Sequence, residues 1–437
     1  MEIFKRALKG NDILRVLRIK PFFLMMLSEF FSQLAFNMQH FVLIFIIYGL
    51  TKSNTAVSGM ILSFMIPAVL LSVIAGVFVD RWNKKSVILY THFIRGMLLL
   101  PFLLPDLHLG FIYFFTFLIA VVTQFFVPAE SSIIPQLVPR KLIIPANAVF
   151  ASGLYGSVLL GYIFSGPVLL LLGRTNTIVF MIFLFFISAF FVSAIKFSST
   201  SKKKEKIGVG IISSRQPVYS IAKEAKEIFS FIRRARKVTH ALLMLTIAQS
   251  VIFMFAVLAP GYVTTILKAP IESLSLVLIA PAGVGLGLGA FILGSLGKKL
   301  KHKWVSGVGF MIVGVVFVLL PFATRITSFD FIQNINYYLP SITHINNLHI
   351  IVVLAAIVGF ASSFVFIPSN ATIQIETNEE MRGRMYGLLS SLIGAVSFLP
   401  VILAGGLADL LGVGTVILGV GVLMVILSIF YLFMVKL

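Results

Sequence analysis

The chain has 437 residues, of which 59% are hydrophobic and only 11% are charged, and its mean hydropathy is +1.05. Soluble domains carry about 25% charged residues, so this composition excludes a soluble globular protein and a disordered chain and indicates a polytopic membrane protein. The chain has no cysteine, which excludes disulfides, iron–sulfur clusters and thiolate metal sites, and it carries a net charge of +20.

Twelve apolar runs are long enough to cross a bilayer as helices, which takes about 20 residues each. The first six are Phe22–Tyr48, Thr55–Val79, Val87–Leu104, Phe111–Pro135, Asn147–Leu172 and Ile178–Ile195. The second six are Ala241–Val263, Leu274–Leu296, Trp304–Phe322, Ile350–Gln374, Met385–Leu407 and Val413–Met434. The first run is too long for a cleaved signal and lacks a small-residue cleavage site. The sequence therefore predicts an all-α polytopic membrane protein with twelve transmembrane helices.

The basic residues predict the orientation of these helices. Thirty of the 35 Lys and Arg residues fall on one side of the membrane, four fall on the other, and Arg95 lies within the third run. Cytoplasmic loops carry an excess of Lys and Arg, so both termini are expected in the cytoplasm, with the chain in a bacterial inner (plasma) membrane. The net charge is then a signature of membrane topology, and no nucleic-acid partner is expected.

A long polar interval, Ser199–Lys237, divides the spans six and six. We therefore predict a first six-helix bundle at residues 1–198, a cytoplasmic linker at 199–237 and a second bundle at 238–437. Apolar residues recur at helical spacing in the second part of the linker, which fits either an amphipathic helix on the inner leaflet or a solvated linker with a short helix.

The two halves resemble each other in sequence. The segment Phe126–Ile133 at the end of the fourth span matches Phe366–Ile373 at the end of the tenth, and the loop Gly76–Lys85 occupies the place of Gly294–Lys303. Six spans is an even number, so the second half enters the membrane in the same sense as the first. Such parallel repeats place a substrate site between the halves, near the midplane.

The first span carries a polar stripe. Glu29, Gln33, Asn37 and His40 are spaced by four, four and three residues, so they share one face of the helix. A charge at mid-bilayer costs about 2.5–3.5 kcal/mol even on the lenient insertion scale, so the stripe cannot face lipid. It forms either a cavity wall, with Glu29 as the group that carries a proton, or a network of hydrogen bonds between helices. Asp80 and Glu130 are the competing candidates for proton coupling.

Two further intramembrane charges lie at similar depth, Arg95 in the third span and Glu130 in the fourth. A buried ion pair between them is predicted, and holding helices together is its simplest role.

The loop after the second span combines an acid with basic residues in a tight turn. Its candidate residues are Gly76, Asp80, Arg81, Lys84 and Lys85. Gly76 would allow close helix approach, and Asp80 could pair with an arginine or a helix N-terminus. We interpret the loop as a cytoplasmic latch that breaks and reforms between conformations, against the alternative of ordinary loop charge.

This loop resembles the signature loop of the major facilitator superfamily. Other segments resemble the branch of that superfamily that contains macrolide efflux pumps and the enterobactin exporter, and these are Phe125–Ala129, Ile134–Pro139, Ala146–Ala148, Arg382–Arg384 and Gly405–Asp409. The resemblance implies that helices 1, 4, 7 and 10 line a central cavity. The lining candidates, besides the charged ones, are then Gln33, Asn37, His40, Gln124, Gln249 and Asn370.

The resemblance also implies alternating access driven by the proton gradient, with export of amphipathic compounds. We therefore expect a monomeric secondary transporter whose partners are a small-molecule substrate, protons and the lipid bilayer, with a lipid or lysolipid translocator as the alternative. No phosphate-binding loop of the GxxxxGK[ST] type and no metal-binding histidine spacing occurs, so neither enzyme activity nor a cofactor is expected.

Overall fold

The computed structural model describes residues 12–195, 234–296, 302–323, 346–377 and 379–434, and the regular structure in these residues is helical. Eleven of the described helices are long and apolar enough to cross a membrane. One of them, Ile143–Ser193, has 51 residues and would be about 76 Å long as a single rod, more than twice the hydrocarbon thickness of a bilayer. It breaks at Gly173, whose φ of +71° is left-handed and favours glycine. The eleven helices therefore provide the twelve predicted spans.

The spans are named α1 to α12 in chain order. The first six are α1 Lys20–Thr51, α2 Asn54–Arg81, α3 Lys84–Leu99, α4 Leu109–Leu137, α5 143–172 and α6 174–193. The second six are α7 Arg236–Gly261, α8 Ala280–Leu296, α9 His302–Leu319, α10 Asn347–Glu376, α11 Glu379–Leu411 and α12 Val413–Met434. A short helix, Asp12–Leu17, precedes α1, and a π-helical segment, Ser275–Ile279, leads into α8.

Helix packing follows the same plan in both halves. Helix α2 packs on α4, and α8 packs on α10 in the same way. Helix α3 packs on the α5–α6 pair, and α9 packs on α12 correspondingly. The fold is that of two parallel six-helix repeats, as predicted. Large apolar side chains such as Leu171, Phe291 and Leu410 stay exposed on the outside, where a bilayer would cover them.

The halves are joined at one end of the molecule. We call the end that carries the α2–α3 loop with Lys84 and Lys85 the basic end, and the end that carries the α1–α2 loop the opposite end. At the opposite end, the Asp409 carboxylate of α11 accepts five hydrogen bonds of 2.6–3.0 Å from the first turn of α2. The donors are the Ser53 hydroxyl, the backbone and side-chain amides of Asn54, and the backbone amide and hydroxyl of Thr55.

Two more hydrogen bonds between the halves lie close to this contact. The Ser58 hydroxyl donates to the Val401 carbonyl at 2.8 Å, and the Thr264 hydroxyl donates to the Tyr48 hydroxyl at 3.1 Å. Between described residues of the two halves, hydrogen bonds therefore occur only toward the opposite end, and the molecule is closed there.

Several predicted features lie outside the described residues. These include linker residues 199–233 with the proposed amphipathic helix, the second-half loop 297–301, and the Asp80 side chain. The boundaries of the two bundles and the linker stay predictions.

Candidate functional site

Two carboxyl groups form a pair inside the first half. Glu29 of α1 is 1% exposed and Glu130 of α4 is 7% exposed, and the two side chains lie within hydrogen-bonding reach of each other. When both carboxyls are ionised, neither can donate a hydrogen bond. Both Glu29 oxygens and Glu130 Oε1 are then buried without a partner. A proton on one carboxyl turns it into a donor to the other, so this arrangement can hold one shared proton.

A buried guanidinium accompanies the pair. Arg95 of α3 is 1% exposed, and its Cζ lies 4.4 Å from the ring centroid of Phe126 and 5.2 Å from that of Phe185. Among the described residues no carboxylate oxygen lies within 4.0 Å of it, so the predicted direct ion pair with Glu130 is not formed. The guanidinium has turned toward the aromatic rings, and it attracts the two carboxyls over a longer distance.

Sequence reasoning missed a histidine that orients this arginine. Arg95 Nη2 lies 3.3 Å from His92 Nδ1, and an arginine can only donate, so Nδ1 accepts and the ring proton is on Nε2. His92 Nε2 then donates to the Ser28 hydroxyl at 3.2 Å, and that hydroxyl donates to the Ser188 carbonyl at 3.0 Å. His92 precedes Arg95 by three residues and so shares its helix face, which is a signal that the sequence carries.

The polar stripe of α1 leads away from the carboxyl pair. Gln33 follows Glu29 by one helical turn, and the Asn37 amide donates to the Gln33 carbonyl at 2.7 Å and to its Oε1 at 3.4 Å. One turn further, His40 Nδ1 lies 3.3 Å from the Tyr162 hydroxyl of α5. Glu29 and Asn37 are buried, whereas Gln33 and His40 are half-buried, so only part of the stripe is accessible in this conformation.

A cavity of about 1170 Å³ lies mainly against the second half and reaches α5 of the first. It extends from Leu320, near the opposite end, to the exposed Gln374 near the basic end. The described lining contains no Lys, Arg, His, Asp or Glu. Its polar members are Tyr155, Tyr162, Ser362, Asn370, Gln374 and Tyr386.

Of the six neutral residues predicted to line the cavity, one is part of its wall. Asn370 lies on the wall, where its Oδ1 accepts a hydrogen bond of 3.0 Å from the Tyr386 hydroxyl. The remaining candidates lie outside this wall, and they are Gln33, Asn37, His40, Gln124 and Gln249. The physical reason on α1 is that its stripe points toward the Glu130 cluster and α5. Tyr162 and Tyr386 were missed, because a tyrosine in an apolar span gives no sign of what it faces.

The basic residues of the α2–α3 loop cap helix ends. Lys84 Nζ donates to the Val79 carbonyl at 2.6 Å, and Lys85 Nζ donates to the carbonyls of Ser193 and Ile195 at 2.9 and 2.6 Å. Lysines at helix C-termini satisfy carbonyls that have no partner within the helix. Arg81 is exposed. A Cβ at Gly76 would meet no atom within 4 Å, so the close helix approach expected there is absent from the described residues in this conformation.

Comparisons with known proteins agree with this architecture. The family model of the Major Facilitator Superfamily matches residues 25–345. No curated protein matches the sequence. A variant of the nucleoside transporter NupG superposes with a TM-score of 0.71 at 13% identity, covering 95% of this chain and 100% of that one. A bacterial homolog of the human lysosomal transporter Spinster, inward-facing and unoccupied, superposes with a TM-score of 0.66 at 14% identity, covering 95% and 96%. A POT family transporter in complex with 5-aminolevulinic acid gives 0.66 at 14% identity, covering 94% and 95%. At these identities the solved structures share the fold alone.

Proposed function

The chain belongs to the major facilitator superfamily, and from that premise we propose that it is a proton-coupled secondary transporter that exports small amphipathic compounds. The sequence segments similar to macrolide efflux pumps and the enterobactin exporter support export over import. The basic end then faces the cytoplasm of a bacterial cell, both termini lie there, and the protein works as a monomer. Because the molecule is closed at the opposite end, this conformation would be inward-facing.

The observation that carries the proposal is the buried pair of Glu29 and Glu130 beside Arg95. With one shared proton, the single negative charge of the pair balances the positive charge of the guanidinium. Loss of that proton leaves an uncompensated negative charge inside the bundle, which is costly in a low-dielectric interior. Proton release is therefore tied to a rearrangement that lets water or a new partner reach the pair, and this is what coupling to alternating access requires.

The polar stripe of α1 connects the cavity with the carboxyl pair and can couple substrate binding to protonation. Tyr162 lines the cavity and its hydroxyl contacts His40, while Gln33 and Asn37 continue from His40 to Glu29 along the same helix. A compound that displaces or binds the Tyr162 hydroxyl changes the hydrogen bonds at one end of this stripe. The carboxyl pair lies at its other end.

The first experiment is an efflux panel of dyes and antibiotics in a pump-deficient bacterial host, with and without an uncoupler. Cells that express the wild-type protein should accumulate less of a transported compound than cells without it, and the uncoupler should abolish this difference. Lysolipids belong in the same panel, because their movement without any efflux of dyes or antibiotics would favour the lipid translocator.

The test of the coupling site uses Glu29→Gln and Glu130→Gln in proteoliposomes loaded with a compound found in that panel. Gradient-driven transport should fall to the uncoupled rate, whereas exchange of labelled for unlabelled compound should continue, because the amide keeps the hydrogen bond but cannot release a proton. Glu272→Gln, the same change outside the cluster, should behave as wild type. Gradient-driven transport at the wild-type rate in both cluster variants would reject the pair as the coupling site.

A further inference from the structure

The charges of the first half are kept apart from the cavity. Glu29, Glu130 and Arg95 are buried among α1, α3 and α4, and none of them is part of the described cavity wall. A charged ligand in the cavity would therefore meet no ion of opposite sign among the described lining residues. Moving an ion out of water without such a partner costs several kcal/mol.

The cavity does offer neutral hydrogen-bonding groups. Near the basic end, Asn370 Nδ2 donates to the Phe366 carbonyl at 2.8 Å, and Gln374 Nε2 donates to the Tyr386 hydroxyl at 3.4 Å. Together with the bond from Tyr386 to Asn370, these contacts fix the amide and the phenol as a preorganised group. The Asn370 amide keeps a second N–H and a second lone pair for a ligand.

A second neutral group lies deeper in the cavity. Ser362 on α10 donates its hydroxyl to the Val358 carbonyl at 2.7 Å, which leaves the oxygen lone pairs as acceptors. On the facing side, the half-buried Tyr162 hydroxyl is shared with His40. Between these groups the wall is apolar, with Phe255, Phe310 and Phe317 among its members.

We infer that the cavity is the substrate site and that it takes uncharged, largely apolar molecules with a hydroxyl, carbonyl or amide group, and discriminates against ions of either sign. A volume of about 1170 Å³ accommodates a drug-sized molecule, since ligand pockets span roughly 300–1,000 Å³. The inference rests on the proposed function and makes it more specific. The proton binds to the carboxyl pair in the first half, and the uncharged substrate binds in the cavity. It excludes both lipophilic cations and anionic siderophores as preferred substrates.

The test compares probes that share a skeleton and differ in charge. N-phenyl-1-naphthylamine is neutral and 8-anilino-1-naphthalenesulfonate is its sulfonated counterpart; diphenylhexatriene is neutral and its trimethylammonium derivative is cationic. Saturable binding to purified protein in nanodiscs is measured from probe fluorescence after subtraction of empty nanodiscs. N-phenyl-1-naphthylamine, which carries an N–H, should bind at least about tenfold more tightly than either ion, since the cost of an unpaired ion exceeds the 1.4 kcal/mol of a tenfold change.

Two matched variants show whether binding occurs in the cavity. Gly287 of α8 lies on the wall and has open space around its Cβ position, so Gly287→Leu adds a side chain that occupies part of the cavity. Gly406 of α11 also has open space but is not on the wall, so Gly406→Leu is the control. Binding of N-phenyl-1-naphthylamine should weaken at least about tenfold in the first variant and persist in the second.

A charge placed in the cavity should reverse the preference. Asn370→Asp keeps an oxygen for the Tyr386 hydroxyl and adds a negative charge, so the cationic probe should gain at least about tenfold in affinity. The inference is overturned if an ion binds wild-type protein as tightly as N-phenyl-1-naphthylamine and is equally sensitive to Gly287→Leu, or if N-phenyl-1-naphthylamine shows no saturable, Gly287-dependent binding. Binding is measured without a gradient and at a single pH, so failure of gradient-driven transport in the coupling variants stays distinguishable from failure of this inference.

Discussion

Glu130 and Asn370 occupy equivalent positions in the two repeats and have different surroundings. Each lies two residues after a proline near the basic end of its helix, in the matched segments Phe126–Ile133 and Phe366–Ile373. Glu130 is buried beside Glu29, whereas Asn370 lies on the cavity wall beside Tyr386. The matched position thus holds an acid in the first half and a neutral hydrogen-bonding group in the second.

Arg95 should be required for proton release by this pair. In Arg95→Met an unbranched apolar side chain replaces the arginine, and the guanidinium, with its charge and its contacts with the rings of Phe126 and Phe185, is lost. No positive charge then balances the carboxyls after a proton leaves, so substrate-induced proton release should fall at least about tenfold. The measurement is the pH change, followed with an indicator dye, when a transported compound is added to weakly buffered protein.

Loss of an arginine elsewhere provides the control for that measurement. Arg140 is exposed in the α4–α5 connection, so Arg140→Met should release protons as wild type does. Equal proton release from the Arg95 variant would mean that the guanidinium only supports packing.

Sequence reasoning at the residue scale located the acids and the arginine but not the geometry among them. Counting residues from the helix ends gave Arg95 and Glu130 the same depth, because helical rise is constant. The guanidinium nevertheless contacts Phe126 and Phe185, which belong to two other helices. Its choice of partner depends on how three helices are rotated, and a single sequence does not carry that information.

At the scale of single helices, α8 divides its glycines between two faces. Gly285 and Gly289 face α10, where a Cβ on either would overlap backbone or side-chain atoms of Ala356, Phe360 and Ser363. Gly283 and Gly287, half a turn away, lie on the cavity wall. Residues two apart on a helix differ by about 200° in direction, so Gly285 and Gly289 lie on one face of α8 and Gly283 and Gly287 lie on nearly the opposite face.

The contact between α8 and α10 should not tolerate a single added methyl group. In Gly359→Ala the new Cβ would overlap the backbone of Ala282, and backbone cannot move aside as a side chain can. We expect a loss of stability of about 1–3 kcal/mol, as for other overpacked sites. Thermal unfolding followed by tryptophan fluorescence at a fixed heating rate measures it.

Gly406→Ala is the matched substitution for this measurement, because its Cβ would meet no atom within 4 Å. Its unfolding temperature should equal that of the wild type or exceed it slightly, since alanine is the better helix former. An unchanged unfolding temperature in the Gly359 variant would contradict the close backbone contact.

The spans themselves were predictable from sequence because the bilayer imposes a length of about 20 apolar residues on each. The break between α5 and α6 was predictable for the same reason, since no bilayer accommodates a helix of 51 residues as one span. The π-helical segments Tyr262–Ile266 and Ser275–Ile279 were not, because they are local adjustments without a composition of their own.

At the scale of the whole molecule, the described hydrogen bonds between the halves lie at the opposite end, and the latch expected in the α2–α3 loop at the basic end stays a prediction, since the Asp80 side chain is outside the described residues. The loop pattern pointed to the basic end, but the described residues place the inter-half hydrogen bonds on Asp409 at the opposite end. The Asp409 carboxylate lies at the N-terminus of α2, where the helix dipole favours a negative charge. Which end is closed depends on the conformation, and the sequence alone does not say which conformation a structure will show.

Asp409→Asn should shift the molecule toward the state that is open at the opposite end. The amide keeps a single acceptor oxygen and turns an NH₂ group toward the donors of Ser53, Asn54 and Thr55, so most of the charge-assisted hydrogen bonds, each about 1.5–3 kcal/mol, are lost. The chain has no native cysteine, so spin labels can be placed without further substitution. Exposed Leu50 and Leu410 report on the opposite end, and exposed Trp82 and Ile375 report on the basic end.

Electron–electron double resonance on the two cysteine pairs should show opposite changes in the Asp409→Asn background. The Leu50–Leu410 distribution should gain a longer component, and the Trp82–Ile375 distribution a shorter one, because rigid halves that part at one end approach at the other. Asp106→Asn removes the same charge from an exposed acid at the same end and should change neither distribution. A longer distance at the opposite end with no change at the basic end would mean that the Asp409 contact opens only locally. The two halves would then not move as the rigid bodies that alternating access needs.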